Sequence, residues 1–375
     1  MPAYFQFLTL MAFHVFLKER VDVAVLEVGI GGQYDCTNVI RHPIVCGITT
    51  LDYDHTALLG HTMESIAWNK LGILKPGSVA LSVPPDPDEA EVVQRVMLER
   101  SAENECPIYL VPPLEHLDTS AVATHLGPLF EGRLGEHQKQ NAALALQIAR
   151  LWSCRSGLAV NSDVLESLGN PSDFSGLGGC LETVSSFQVP EPFALGLRDC
   201  QWEGRSQVIR RDNVTYFLDG AHTPKSIRCC MDWLNHREAS LSSETQCARV
   251  LLFHCTGERS GESMLRLLSG QEWTMALFCP PYARKAEAES PTGDTTKARP
   301  LSSGGRYAAE LQKAQANAKI WQQLAGGAAH WLESVEGALQ WLEANQQSGE
   351  AHVLVTGSLY LVGASLDVLK STPQP

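Results

Sequence analysis

A chain of 375 residues is too long for one ordinary domain and matches the length of two. With 29 basic against 42 acidic residues its formal charge is −13, which excludes a nucleic-acid partner, because so acidic a chain does not replace the counterions of a phosphate backbone. The same charge repels small anions at long range, so any anionic substrate has to be gripped by local donors.

Hydrophobic residues make up 44% of the chain and both charge signs are spread along it, as in a soluble globular protein. Eleven cysteines are scattered without a CxxC pair, which fits neutral thiols in a reducing compartment better than a disulfide or zinc framework. The opening stretch MPAYFQFLTLMAFHVFL is apolar, but it has no basic start and no small-residue cleavage site, and it is too short to span a membrane. Phe5, Leu8, Met11, Ala12 and Val15 follow helical spacing, so a buried helix is predicted here, with further chain expected before it.

Val21 to Val28 is a nearly continuous β-branched run ending in Gly29-Ile-Gly-Gly32. Such runs read as buried parallel strands, and glycines at a strand's carboxyl end mark the place where α/β proteins bind ligands. Ile44 to Thr50 reads as a second such strand, ending in Asp52, Asp54 and His55. A short helix over 62–71, a strand over 79–83, an amphipathic helix over 86–104 and a long helix over 136–152 follow. Residues 153–204 are irregular and place a domain boundary near 190–200. A new βα rhythm then begins with a strand at 215–218 and its polar end Asp219-Gly-Ala-His222. Thr223 and Pro224 open a helix as N-cap and first helical residue. Strands are predicted at 249–253 and 274–278, a mobile surface insertion near 281–330, a helix over 334–345 and a strand-turn-helix over 352–369. Strands alternating with helices in both halves give two parallel-sheet α/β domains, divided as 1–195 and 196–375. No solenoid-type repeat is present.

The residues able to carry chemistry lie at strand ends. A carboxylate at Glu27, inside a buried run, is costly unless paired or bound to metal, although a strand-end acid facing solvent is the plainer alternative. His55 ends the neighbouring strand, so the two can converge on one crevice and share Mg²⁺ with nucleotide phosphates. Lys70 and Lys75 follow, either as phosphate-neutralising groups or as a solvated pair. The glycine loop lacks the third glycine of a dinucleotide fingerprint. In the second half, Asp219 and His222 stand at a helix entry suited to an anion, and Ser358 occupies the matching entry after Thr356-Gly357, as a ligand group or simply a cap. No GxSxG surrounds any serine, which argues against a serine hydrolase.

Five segments taken in order, LEVGIGGQYDCTNVI (26–40), DHTALLGHTMESIAWNKLGILKPG (54–77), GEHQKQNAALAL (135–146), YFLDGAHTP (216–224) and HVLVTGSLYLVG (352–363), resemble the folylpolyglutamate synthases of the Mur-type ligases, in their animal form. The resemblance implies an N-terminal P-loop-type ATPase domain joined to a smaller Rossmann-like domain. It implies ATP, a reduced folate and L-glutamate as substrates, Mg²⁺ as cofactor and an acyl-phosphate intermediate. Glu27 and His55 correspond to Mg²⁺ ligands, and Lys70 to the lysine carbamylated in bacterial relatives. Asn141, Arg205 and Asp219 correspond to nucleotide contacts, and His222 and Ser358 to groups holding the incoming glutamate. A monomer in cytoplasm or mitochondrion is implied, with no targeting peptide visible and no membrane span. Two departures stand out. No G-x-x-x-x-G-K-[ST] stretch occurs in these residues, so the chain by itself is expected to be inactive. Asp52 replaces a glycine common in relatives. The alternatives are a dihydrofolate synthase and a non-catalytic binding or regulatory paralogue.

Overall fold

A computed structural model describes residues 3–128, 135–157, 181–241, 247–257, 261–285, 303–325, 327–345 and 349–371. The chain divides into two compact units, the first spanning Met1–Phe130 and His137–Cys200, the second consisting chiefly of Gln201–Pro375.

The first unit is built on a parallel three-stranded sheet of β1 (Val45–Ile48), β2 (Val79–Ser82) and β3 (Ile108–Leu110), in that order. Successive side chains of a strand point to opposite faces, and β2 shows the consequence. Ala80 packs with Ile66, Ala67, Leu71, Val96 and Met97 from the helices Met63–Lys70 and Ala90–Glu103 and the turn between. Val79 and Leu81 pack with Leu144 and Leu151 of the helix Glu136–Arg155. Each of the larger of these side chains, removed from water, contributes about 1.5–3 kcal/mol, and the alanines less.

Two expectations for this unit fail. Val21–Val28 is not a strand: among the described residues it pairs with no other segment, and Val25 is 90% exposed. β-branched composition favours a half-buried pleated surface and does not create one; without a hydrogen-bonded neighbour the run stays irregular. The first helix forms, over Tyr4–Glu19, but Thr9 is its one buried residue, while Tyr4, Phe5, Phe7, Leu10 and Leu17 are exposed. Its apolar residues run nearly all round the helix, so no single face is defined for packing.

The second unit holds a six-stranded sheet in the order β4-β5-β9-β6-β7-β8, with β4 (Gln207–Arg211), β5 (Val214–Leu218), β6 (Ala248–Phe253), β7 (Met275–Phe278), β8 (Ala328–Trp331) and β9 (Ala351–Thr356). The sheet is mixed rather than wholly parallel. β4 runs antiparallel to β5 through a tight turn at Asp212, which adopts φ 49°, while the other pairs are parallel. One face is covered by the helices Val335–Asn345 and Leu359–Ser371 through Ala338, Leu342, Leu361 and Val362. The other is covered by the helices Pro224–Leu241, Gly261–Leu268 and Ser303–Ala325 through Ile227, Trp233, Leu265 and Trp321.

The predicted insertion over 281–330 needs correction in its second half. Residues 286–302 lie outside the described residues, but Ser303–Ala325 is a 23-residue helix, with β8 after it. Ala314, Ala318 and Trp321 form a narrow buried stripe on that helix, hidden in the sequence among Lys, Gln and Asn. Among the described residues no helix is long and apolar enough to cross a membrane.

Candidate active site

In the first unit the glycine loop packs against the end of the helix Met63–Lys70. Gln33 N–H donates to the Asn69 carbonyl at 2.8 Å. A methyl group on Gly32 would lie 2.7 Å from Asn69 O and 2.8 Å from Lys70 O, so only glycine admits this approach. Asn38 Nδ2 donates to the Gln33 and Gly72 carbonyls, and Arg100 Nη2 donates to Gln33 Oε1. Asp35 accepts from Ile30 N–H, Thr37 N–H and Thr37 Oγ1. Burial would raise its carboxyl pKa, but those donors outweigh it and hold the group below the ordinary range.

Lys70 therefore stands beside the loop, with Nζ 3.4 Å from Thr50 O. Burial pushes its ammonium pKa down, while the charges of Asp52 and Asp54 pull the other way. Asp52, the residue that departs from the resemblance, thus acts on Lys70. His55 is exposed, in the left-handed region at φ 51°, with Nε2 3.6 Å from Asp54 Oδ2. That backbone state costs a non-glycine residue about 1–2 kcal/mol. Lys75 Nζ lies 3.5 Å from the Gly72 carbonyl.

Glu27 is exposed on the irregular segment, so the penalty for a buried carboxylate does not apply to it. Among the described residues no three His, Cys, Asp or Glu side chains gather as a metal cage. Asn141 lies exposed on the helix Glu136–Arg155, its Nδ2 3.3 Å from Gln138 Oε1.

The second unit is more ordered chemically. β5, β9 and β6 are adjacent and parallel, so their carboxyl ends share one sheet edge. At that edge the Asp219 carboxylate accepts from Ser206 N–H at 2.8 Å and from Ala221 N–H at 3.0 Å, with Ser206 Oγ at 3.4 Å. Asp219 N–H donates to Val355 O, Gly220 N–H to Gly204 O, and Gly357 N–H to Ala221 O. The carboxylate of Asp219 is buried and occupied by these donors, and it ties the Arg205-Ser206 loop to the end of β5. Arg205 lies over Gly220: a methyl group there would meet Arg205 Nη1 at 2.7 Å.

His222 Nδ1 is 2.8 Å from Gly220 O, which orients the ring. Thr223 Oγ1 accepts from Ser226 N–H, capping the helix Pro224–Leu241 as its sequence foretells. Ser358 accepts from Tyr360 N–H at 3.1 Å, a cap of the helix Leu359–Ser371, and is only 2% exposed. Gly357 precedes it at φ 97°, where a methyl group would meet His254 O at 2.6 Å.

The structure thus gathers Arg205, Asp219, His222 and Ser358 at one edge. It also places there Ser206, Thr256 and His254, which sequence reasoning passed over. Ser206 is tied in through β4, whose pairing has no sequence signal of its own. Thr256 had one, since FHCTG (253–257) repeats the strand-then-polar pattern of LDGAH and VTGS. Burial raises the pKa of the Cys46 thiol to about 12 and raises those of Cys106 and Cys230 as well.

No protein-family model matches the chain. A Caenorhabditis elegans protein bearing the folylpolyglutamate synthase name is 36% identical over 376 aligned positions, covering 98% of this chain and 67% of the relative. The mitochondrial folylpolyglutamate synthase of Bos taurus is 47% identical over 293 residues, 77% of this chain and 47% of that protein. Its Homo sapiens counterpart is 46% identical over 285 residues, 75% and 46% respectively. The chain spans about half the length of these mammalian relatives. In fold it is similar to folylpolyglutamate synthase from Mycobacterium tuberculosis, solved with ADP and AMPPCP, with a TM-score of 0.65 at 21% identity, covering 99% of this chain and 73% of that one. The enzyme from Thermotoga maritima gives 0.62 at 20% identity, covering 100% and 72%.

Proposed function

The chain belongs to the folylpolyglutamate synthase family, and from that premise we propose that it acts as an ATP-dependent ligase adding L-glutamate to reduced folates. The γ-phosphoryl group of ATP passes to the terminal carboxylate of the folate, giving ADP and an acyl phosphate. The amine of free glutamate attacks the acyl carbon and loses a proton. The tetrahedral intermediate then collapses with release of inorganic phosphate. Charge accumulates on phosphoryl and carbonyl oxygens, so positioned donors supply most of the rate.

The observation that carries this reading is the convergence of Arg205, His222 and Ser358 at one sheet edge, each on a loop pinned by backbone hydrogen bonds. Arg205 and Asn141 serve the nucleotide, and His222 and Ser358 the incoming glutamate. Asp219, its carboxylate occupied by backbone donors, serves the nucleotide by holding the Arg205 loop. Glu27, His55 and Lys70 are the groups assigned to Mg²⁺. Glu27 is exposed and no three-residue cage stands among the described residues, so these groups would hold Mg²⁺ only together with the nucleotide phosphates, whose charge it would offset. The mammalian relatives' names support a mitochondrial setting.

The test is incorporation of labelled L-glutamate into tetrahydrofolate with matching phosphate release. In a protein with a G-x-x-x-x-G-K-[ST] segment joined to these residues, loss of Arg205 as a donor (Arg205→Ala) is expected to cost about 10²–10³ in rate. Extension of dihydropteroate in place of tetrahydrofolate overturns the assignment in favour of a dihydrofolate synthase, and nucleotide binding without extension of either favours a binding module. The 375 residues contain no G-x-x-x-x-G-K-[ST] stretch, and its amides and lysine are the main donors to nucleotide phosphates. Assayed alone they are expected to show little turnover, and a rate equal to that of a protein with such a segment joined to them refutes this.

A further inference from the structure

The third strand end at the same edge is His254–Gly257, after β6. His254 is fully buried, with Nε2 2.8 Å from Glu310 Oε2 on the helix Ser303–Ala325 and Nδ1 without a hydrogen-bond partner among the described residues. Lys313 pairs with Glu310 at 3.1 Å and donates to Gly257 O, also at 3.1 Å. Asn317, one turn further on and buried, places Nδ2 3.9 Å from Cys255 Sγ. Positions 310, 313 and 317 share one helix face by their spacing. They hold residues 254, 255 and 257.

The residue between them, Thr256, is directed elsewhere: its Oγ1 lies 3.4 Å from Ser358 Oγ. Ser358 is almost wholly enclosed, and its oxygen already accepts from Tyr360 N–H. Thr256 is half-buried. Of the two hydroxyls, the one open to a ligand is therefore that of Thr256.

We propose that Thr256 is a ligand-contacting residue of the amino-acid site, donating its hydroxyl proton to a carboxylate oxygen of the incoming amino acid. The assignment rests on the reading of His222 and Ser358 as that site. A hydroxyl has one proton to give and two lone pairs to receive. Either hydroxyl can be the donor across the 3.4 Å contact; in the arrangement proposed here Ser358, which accepts from Tyr360 N–H, gives its proton to Thr256 Oγ1 and leaves the Thr256 proton for the ligand. The chain of donors runs from the helix N-terminus through two hydroxyls, each polarising the next, and it ends on a donor suited to an anion. The grip of Lys313 and Asn317 on its two neighbours, and of Glu310 on His254, keeps Thr256 in register.

The test is calorimetric titration of the protein with L-glutamate, comparing Thr256→Val, Thr256→Ser and His222→Ala. Thr256→Val preserves shape and removes the proton, and is expected to weaken binding about tenfold, the usual loss for a hydrogen bond to a charged group. Thr256→Ser keeps the hydroxyl and is expected to bind within about twofold of wild type. The melting temperatures of both variants should match wild type, which separates lost contact from lost fold. Unchanged affinity in Thr256→Val, with binding lost in His222→Ala, overturns the Thr256 assignment alone. Absence of L-glutamate binding by the wild-type protein overturns both this assignment and the reading beneath it.

Discussion

Replacing Asp219 by alanine should destabilise the second unit by about 2–6 kcal/mol. The carboxylate accepts from Ser206 N–H at 2.8 Å and Ala221 N–H at 3.0 Å, and the residue is 6% exposed. Its removal leaves two backbone donors with no acceptor, each costing about 1–3 kcal/mol where water does not reach. The loss is a large fraction of the roughly 5–15 kcal/mol that holds a domain folded. Asp219→Asn should fall between wild type and alanine, because the amide oxygen can accept from one donor while its NH₂ opposes the other. Urea unfolding followed by the fluorescence of buried Trp233, which packs edge-on against Phe217 of β5, reports this unit. The midpoint should fall with little change in slope. A carboxylate kept only to touch a ligand behaves in the opposite way: its removal leaves stability level or raises it. An alanine variant within about 0.5 kcal/mol of wild type therefore refutes the structural role assigned to Asp219.

Glu310 should make the second unit acid-sensitive. Burial alone would raise its carboxyl pKa, but the hydrogen bond and charge of His254 with the charge of Lys313 hold it below the ordinary 4.5. The stabilisation from a depressed carboxylate is complete above that ordinary value and is lost as pH falls through the folded one. Melting temperature in wild type should thus drop more steeply below pH 4.5 than in Glu310→Gln, and equal slopes contradict the pairing. Two glycines give a matched contrast. Gly32→Ala presses a methyl group on two carbonyl oxygens at 2.7 and 2.8 Å and should cost about 1–3 kcal/mol in urea unfolding. Gly363→Ala, inside the helix Leu359–Ser371 with nothing within 4 Å, should gain about 0.5–1 kcal/mol; destabilisation there disproves the helix geometry.

The second unit was largely legible because its signals are local and mutually consistent. Val214–Leu218 and Ala351–Thr356 are apolar runs of strand length, each closed by polar residues and a capped helix. Thr223-Pro224 announced a helix start whose cap is observed directly. What escaped depends on pairing. Gln207–Arg211 has no core-facing pattern, with intermediate burial along most of its length, and becomes a strand only because the turn at Asp212 lays it on β5. The helix Ser303–Ala325 is polar on most of its surface, so a stripe of two alanines and one tryptophan left no strong period to read.

The failure at Val21–Val28 has the same origin as the success at Val79–Ser82. Both are β-branched or small apolar runs of strand length, yet one is exposed and the other wholly buried. β2 has neighbours on both sides, β1 and β3, and a helix layer over each face. Those partners satisfy its backbone and remove its side chains from water. Val21–Val28 has neither, and β-propensity worth at most about 1 kcal/mol per residue does not offset the roughly 1–2 kcal/mol needed to fix each residue's backbone. The glycine loop after it is ordered all the same, because its contacts come from elsewhere: Asn69 O, Asn38 Nδ2 and Arg100 Nη2 all converge on Gln33. A strand-end loop can therefore keep its shape when the strand before it does not form. The Gln33 clamp, rather than the valine run, then determines where Gly32 stands relative to Lys70.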